Sequence, residues 1–239
     1  MSKLNYHFNE TGSVTFFAIA LTCLFSIVLF AHYHFFHITD TQKSTEHICQ
    51  SELLKIQNHV SDSIQGLIKL NKIVISNRIT KKTAIGMIAA GSATLNPTLI
   101  AAGQKLLHTS QQLEKMISAL QEKYLTQARF YMQIQPLSVL GKIKNELLKR
   151  KNTFVHQAFF LPKSPAVKSL PTSDGPPEYV IENDFIHKQA LHAFWKYKQT
   201  VDDEKGLLWK KISLKKSLAC AASIEIKNGK YQAVLIEAK

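Results

Sequence analysis

The chain has 239 residues, a mass of 27.0 kDa and 45% hydrophobic residues, enough to bury a core, which excludes a disordered polymer. Thirty Lys and Arg against seventeen acids give a formal charge of +13, so an acidic partner is implied: lipid headgroups, nucleic acid or an acidic protein. Residues 1–40 carry one base and two acids, residues 41–160 sixteen bases and six acids, and residues 161–239 thirteen bases and nine acids, which places the basic character in the middle of the chain.

Residues 1–12 read as a polar leader. From Val14 to Ala31 eighteen residues carry no charge, and at about 1.5 Å per residue they cover roughly 27 Å, close to a bilayer's hydrocarbon thickness. With Tyr33, Phe35 and Phe36 as an interfacial belt, residues 13–37 are expected to form one transmembrane helix, with Phe16, Phe17, Leu21, Leu24 and Val28 available for packing in the bilayer. A cleaved secretory signal would have a shorter apolar region and a more basic start. A buried soluble helix would need partners on every face. Lys3 and Lys43 nearly balance across the span, and the bulk of the chain is expected on the extracytoplasmic side.

After a polar interruption at residues 39–47, steps of four and three pick out Cys49, Leu53, Ile56, Val60, Ser63, Leu67, Leu70 and Val74, the seam of an amphipathic helix. Asn96 and Pro97 then mark a helix start. The second seam runs through Leu99, Leu106, Leu113, Ile117, Leu120, Tyr124 and Tyr131. Together they predict a basic helical hairpin over residues 41–160, with a dimeric coiled coil as the alternative. Between the seams, residues 83–104 lack any charge. They read as an apolar hairpin tip, or alternatively as a second membrane span in which Gly86 and Gly91 permit close helix approach.

Five of the seven prolines fall between Pro162 and Pro177, so residues 161–180 read as a linker or an extended surface arm that sets off a small C-terminal part, 181–239. This part is expected to open with a helix over 183–199 that presents Phe185, Leu191, Phe194 and Trp195 on one face. It should close with a β-hairpin whose type I′ turn at Asn228 and Gly229 sets Ile226 opposite Tyr231, Ile224 opposite Ala233 and Ala222 opposite Leu235. The fold class is therefore mainly α, with one N-terminal transmembrane helix, a long helical hairpin and a small α+β end.

Chemistry is sparse. There is no phosphate loop, no dinucleotide-binding glycine pattern, no nucleophile elbow and no CxxC, and His32, His34 and His37 match no standard metal spacing. The reading is non-enzymatic, with no cofactor and no metal. Asp202, Asp203 and Glu204 read as a solvated helix end. Cys49 and Cys220 could form a disulfide on an oxidising side, and two buried thiols fit the sequence equally well. Trp209 with Lys210, Lys211, Lys215 and Lys216 could grip phosphate groups, a solvated face being the plain alternative.

Gly12, Ser13, Val14 and Thr15, the span to Ala31, the amphipathic run from Cys49, and an ending with one Cys before a terminal hairpin together resemble the pilin-like proteins of the Tad (Flp) pilus assembly system, the TadE and TadG group. The resemblance covers about a third of the chain and departs from pilins at Phe17, where they carry Glu. It implies a structural role in a bacterial envelope assembly. The expected partners are then a membrane and proteins of that assembly or further copies of the chain, with anionic lipid as an additional contact; a membrane-tethered basic module binding anionic lipid or nucleic acid is the second reading, nucleic acid being the less favoured target.

Overall fold

The computed structural model describes residues 10–150, 153–172, 174–201 and 212–237. It divides into two compact units, residues 1–44 and 45–239. The long helix α1, Glu10–Ala93, belongs to both. Residues 39–47 interrupt the apolar pattern but not the helix, because Thr, Asp, Gln, Lys and Ser are all compatible with helical backbone and no Gly or Pro stands among them.

In the first unit α1 carries thirteen bulky apolar side chains between Phe16 and Phe36 that are all exposed, Phe16 at 76%, Phe17 at 69% and Leu24 at 65% among them. This helix is long and apolar enough to cross a membrane. It is the one such helix among the described residues.

In the second unit α1 turns back through α2, Pro97–Gln133, as an antiparallel hairpin. Contacts at three levels fix the register: Gly103 against Ala84 and Ile88, Asn77 Nδ2 donating to the carbonyl oxygen of Ser110 at 3.1 Å, and His59 stacked on Tyr131 with centroids 4.7 Å apart. A Cβ on Gly103 would stand 2.7 Å from Ile88 Cγ1 and 3.0 Å from the Ala84 carbonyl oxygen, so only glycine allows this approach. Cys49, Leu53, Ile56, Val60, Ser63, Leu67, Leu70 and Val74 are all buried along α1.

The facing line of α2 agrees with the expected one only in part. Gly103, Ser110, Ile117, Gln121, Ala128 and Met132 are its buried residues, whereas Leu106 and Leu113 are half-buried and Leu120 is 39% exposed. Ile117 is buried as expected, and Tyr124 and Tyr131 meet α1 at Gly66 and His59, but elsewhere small and polar side chains let the two helices approach and the larger apolar ones flank that line, so a count of bulky apolar positions marks the stripe only in part.

The hairpin tip closes through two residues of opposite value. Leu95 sits in the left-handed region at φ 52°, with the amide of Asn96 donating to the carbonyl of Gly91 at 2.8 Å, a Schellman-type ending. Asn96 Oδ1 then caps α2, accepting from the amides of Thr98 and Leu99 at 3.1 and 3.2 Å. Asn96→Ala should lower stability by about 1 kcal/mol, while Leu95→Gly should raise it by about 0.5–1 kcal/mol because the left-handed conformation is free of steric penalty for glycine. Chemical denaturation of the two variants in detergent checks both signs.

After α3, Gln135–Lys149, the chain leaves helix earlier than the hairpin reading expects. The strands β1 (Thr153–Phe160), β4 (Leu191–Val201), β5 (Ile212–Lys227) and β6 (Lys230–Ile236) form an antiparallel sheet in that order. The β5–β6 turn has positive φ at Asn228 and Gly229, and its pairs are Ile226 with Tyr231, Ile224 with Ala233 and Ala222 with Leu235. The helix expected over 183–199 is corrected to the short α4, Phe185–Gln189, followed by β4. In β4 the residues Leu191, Ala193, Trp195, Tyr197 and Gln199 are buried while Lys196 is exposed and Phe194 and Lys198 are half-buried. That is period-two burial, which β-branched and aromatic content favours over helix.

Residues 161–180 are not a linker. They contain β2, Val167–Leu170, and the start of β3, Glu178–Ile181, which pair with each other and lie on α1. Asn71 exchanges two hydrogen bonds with the backbone of Tyr179, at 2.7 and 3.0 Å, Arg78 pairs with Glu178 at 2.9 Å, and Gln121 donates to the Pro177 carbonyl at 2.8 Å. The prolines therefore mark a short two-stranded ribbon held by helix side chains. One hydrophobic core then runs from α1 through α2 and α3 to β4 and β5, without the division into helical and C-terminal parts expected from composition.

Candidate functional surfaces

Residues from distant parts of the chain meet at the centre of the second unit. Cys49 and Cys220 are bonded, with Cα atoms 6.3 Å apart, and tie α1 to β5. Two turns further along α1, Gln57 Nε2 donates to the carbonyl oxygens of Gln189 at 2.8 Å and Ala222 at 3.1 Å, and Gln189 Oε1 accepts from the amide of Ala166 at 2.9 Å. Both glutamines are fully buried, and their bonds join α1, α4, β5 and the start of β2 into one network. Its members are amides and carbonyls, which fix register and supply no proton to a substrate.

Titratable groups near the core follow their surroundings. Hydrogen bonds from Lys142 and then Lys55 hold the Glu52 carboxyl below its ordinary value near 4.5. Burial pushes His192 below 6.5, helped by the charge of Lys163, and burial raises Tyr197 and Tyr231 above 10.0. Because Glu52 has a depressed folded-state pKa, its contribution is complete above about pH 4.5 and fades as pH falls through the folded value. Both lysines face solvent, so Glu52→Gln should cost about 0.5–1 kcal/mol at pH 7 and progressively less as the pH is lowered below 4.5; thermal melts across that range compare the two proteins directly.

The outer face of the four-stranded sheet carries a different pattern. Phe159 stacks on Phe194 with centroids 5.2 Å apart, and His192 stacks on Phe194 at 6.2 Å. Beyond them the face becomes basic. Lys198 stands directly opposite Lys215, and Lys196 opposite Ser217. Lys196, Lys215 and Lys216 line a cleft of about 290 Å³ with His156, Tyr197 and Ser217. His156 occupies the bulge between Val155 and Gln157, which turns its exposed side chain toward that cleft's rim.

Of the five residues predicted to contact an anionic ligand, Lys215 and Lys216 thus lie on the strand that forms this cleft, while Trp209, Lys210 and Lys211 lie outside the described residues, as do Asp202, Asp203 and Glu204 and most of the expected leader. Sequence reasoning missed Lys196, Lys198 and His156. Alternation in residues 191–201 was the signal that would have put the first two beside Lys215. The larger groove along α2, about 830 Å³, lies between His108, Glu114, Lys115, Glu122 and the Gly175–Pro177 loop. Among the described residues no group of three or more His, Cys, Asp or Glu is placed to hold a metal ion. Comparison of the chain with family models, with curated proteins and with solved structures found no match.

Proposed function

We propose that this chain is a non-enzymatic, single-pass membrane protein with a pilin-like structural role in a bacterial envelope assembly, its residues beyond the span standing on the extracytoplasmic side. The observation that carries the reading is the run of thirteen exposed bulky apolar side chains between Phe16 and Phe36. At roughly 1.5–3 kcal/mol for each side chain fully removed from water, their burial amounts to about 20 kcal/mol or more, beyond the whole net stability of a typical domain. Lipid or neighbouring apolar helices satisfy such a surface; water does not.

Two further features support the reading. A bonded Cys49–Cys220 pair fits an oxidising compartment. The second unit presents a helical hairpin whose tip exposes Leu95 and Ile85 and lacks charge over residues 83–104, a surface suited to protein contact. Photo-crosslinking from Leu95 and Leu24 in cells, followed by identification of the captured species, tests the role. Capture of envelope-assembly proteins or of further copies supports it, and quantitative recovery of uncrosslinked soluble monomer without detergent overturns it.

A further inference from the structure

Three contacts fix how the sheet runs along α1 within residues 45–239. Cys49 is bonded to Cys220, Gln57 donates to Ala222, and Ser61 Oγ donates to the carbonyl of Tyr231, which pairs with Ile226. Position along β5 therefore rises with position along α1. The first residues of β5 lie at the end of the unit where α1 enters at Thr45. The last residues of β4 lie there too, since Gln199 pairs with Leu214 and Tyr197 with Lys216, and β1 starts there because Thr153 pairs with Gln199.

This end gathers Lys196, Lys198, Lys215 and Lys216 with His156, and none of the four lysines makes an ion pair among the described residues. Lys198 and Lys215 are directly opposite each other on neighbouring strands, an arrangement that is destabilising unless an anion lies between them. The far end of the α1–α2 hairpin, residues 83–104, holds no charge at all. The unit is therefore polarised along α1, basic where the chain enters and neutral where the hairpin turns.

We infer that the basic end of the β4–β5 hairpin is a platform for the phosphodiester headgroups of anionic phospholipid, with the cleft between His156, Lys196 and Lys215 as the phosphate site. The inference rests on the proposed anchor. Eight residues lie between Phe36 and Thr45, so nine peptide units, about 32 Å at full extension, bound the distance from the end of the span to the point where the chain enters this unit. Ammonium groups with no acidic partner among the described residues lose little by leaving bulk water for a phosphate-rich interface and gain a counter-charge there. Nucleic acid would offer the same phosphates, and it is not tethered beside them.

The test uses the full chain with Cys23→Ser, which removes the free thiol and keeps Cys49–Cys220, and a fluorophore at Ser217→Cys. It is reconstituted in vesicles of phosphatidylcholine alone or mixed with phosphatidylglycerol, each carrying a headgroup-attached quencher. Quenching should be severalfold stronger in the mixed vesicles at low salt. It should fall to the neutral-lipid level in about 1 M salt, where the screening length is about 3 Å. The quadruple variant Lys196→Gln, Lys198→Gln, Lys215→Gln and Lys216→Gln should behave at low salt as the parent does in 1 M salt. A label at Thr94→Cys should show no dependence on lipid charge. Equal quenching in both lipids, or quenching that neither salt nor the quadruple variant changes, overturns the platform while leaving the anchor in place. Flotation with neutral vesicles after alkaline wash reads the anchor separately, and its loss overturns both.

Discussion

Two arginines in the apolar span, Leu24→Arg with Val28→Arg, are expected to turn a carbonate-resistant chain into one that alkaline carbonate extracts. On an insertion scale the eleven Leu, Ile, Phe and Val residues between Val14 and Ala31 contribute about −5 kcal/mol together. Each replacement moves one central position from about −0.5 to about +3 kcal/mol, so the pair shifts the balance by about 7 kcal/mol and reverses its sign. The same two arginines on an exposed face of α2, at Met116 and Leu120, should leave membrane attachment unchanged. Retention of the span variant in the membrane fraction would mean that something other than this helix holds the chain there, and the proposed role would lose its foundation.

Removal of the Cys49–Cys220 bond should produce the largest change in stability. The two residues are 171 apart in sequence, and on the chain-entropy model closing a loop of that length raises the free energy of the unfolded state by about 5 kcal/mol. Strain and residual unfolded-state structure reduce the realised value, so Cys49→Ala with Cys220→Ala should lower stability by about 3–5 kcal/mol. Both side chains are buried in the core cluster that includes Leu53, Trp195 and Ala222, so a reduced but unmutated chain isolates the crosslink from any packing loss. Denaturant unfolding in detergent, with and without reductant, supplies the comparison. A difference under about 1 kcal/mol would show that the unfolded chain gains little freedom when the bond opens.

The helical parts were legible because their signals are local. The α1 seam from Cys49 to Val74 recurs every three or four residues, and the Asn96–Pro97 start carries its own cap, so neither depends on distant partners. The terminal hairpin was equally readable, since a two-residue turn fixes every pair that follows it. What failed was everything decided by distant packing. Residues 191–201 hold lysines and aromatics that suit helix or strand, and burial of every second one from Leu191 to Gln199 settles the matter in favour of strand. The α2 stripe was read correctly at Ile117, Tyr124 and Tyr131 and misplaced nearer the tip, because Gly103 and Ser110 face α1 by being small, and smallness leaves no trace in a hydrophobic pattern. The proline-rich stretch was misread for a related reason: Asn71, Arg78 and Gln121, which hold it, sit 56 to 108 residues away along the chain. As for the candidate surface, Lys215 and Lys216 stood out as a cluster in sequence, but Lys196 and Lys198 joined them only through strand pairing.

The covalent staple also has a mechanical meaning. If the two ends of the oxidised chain are pulled apart, tension passes from Cys49 through sulfur to Cys220 and bypasses everything in between. The segment enclosed by the bond could otherwise pay out about 600 Å of contour. Only the stretches outside the two cysteines can lengthen, so α1 cannot ratchet past β5 under load, and a pulling experiment on single molecules should record a tether shorter by that hidden length until reductant is added.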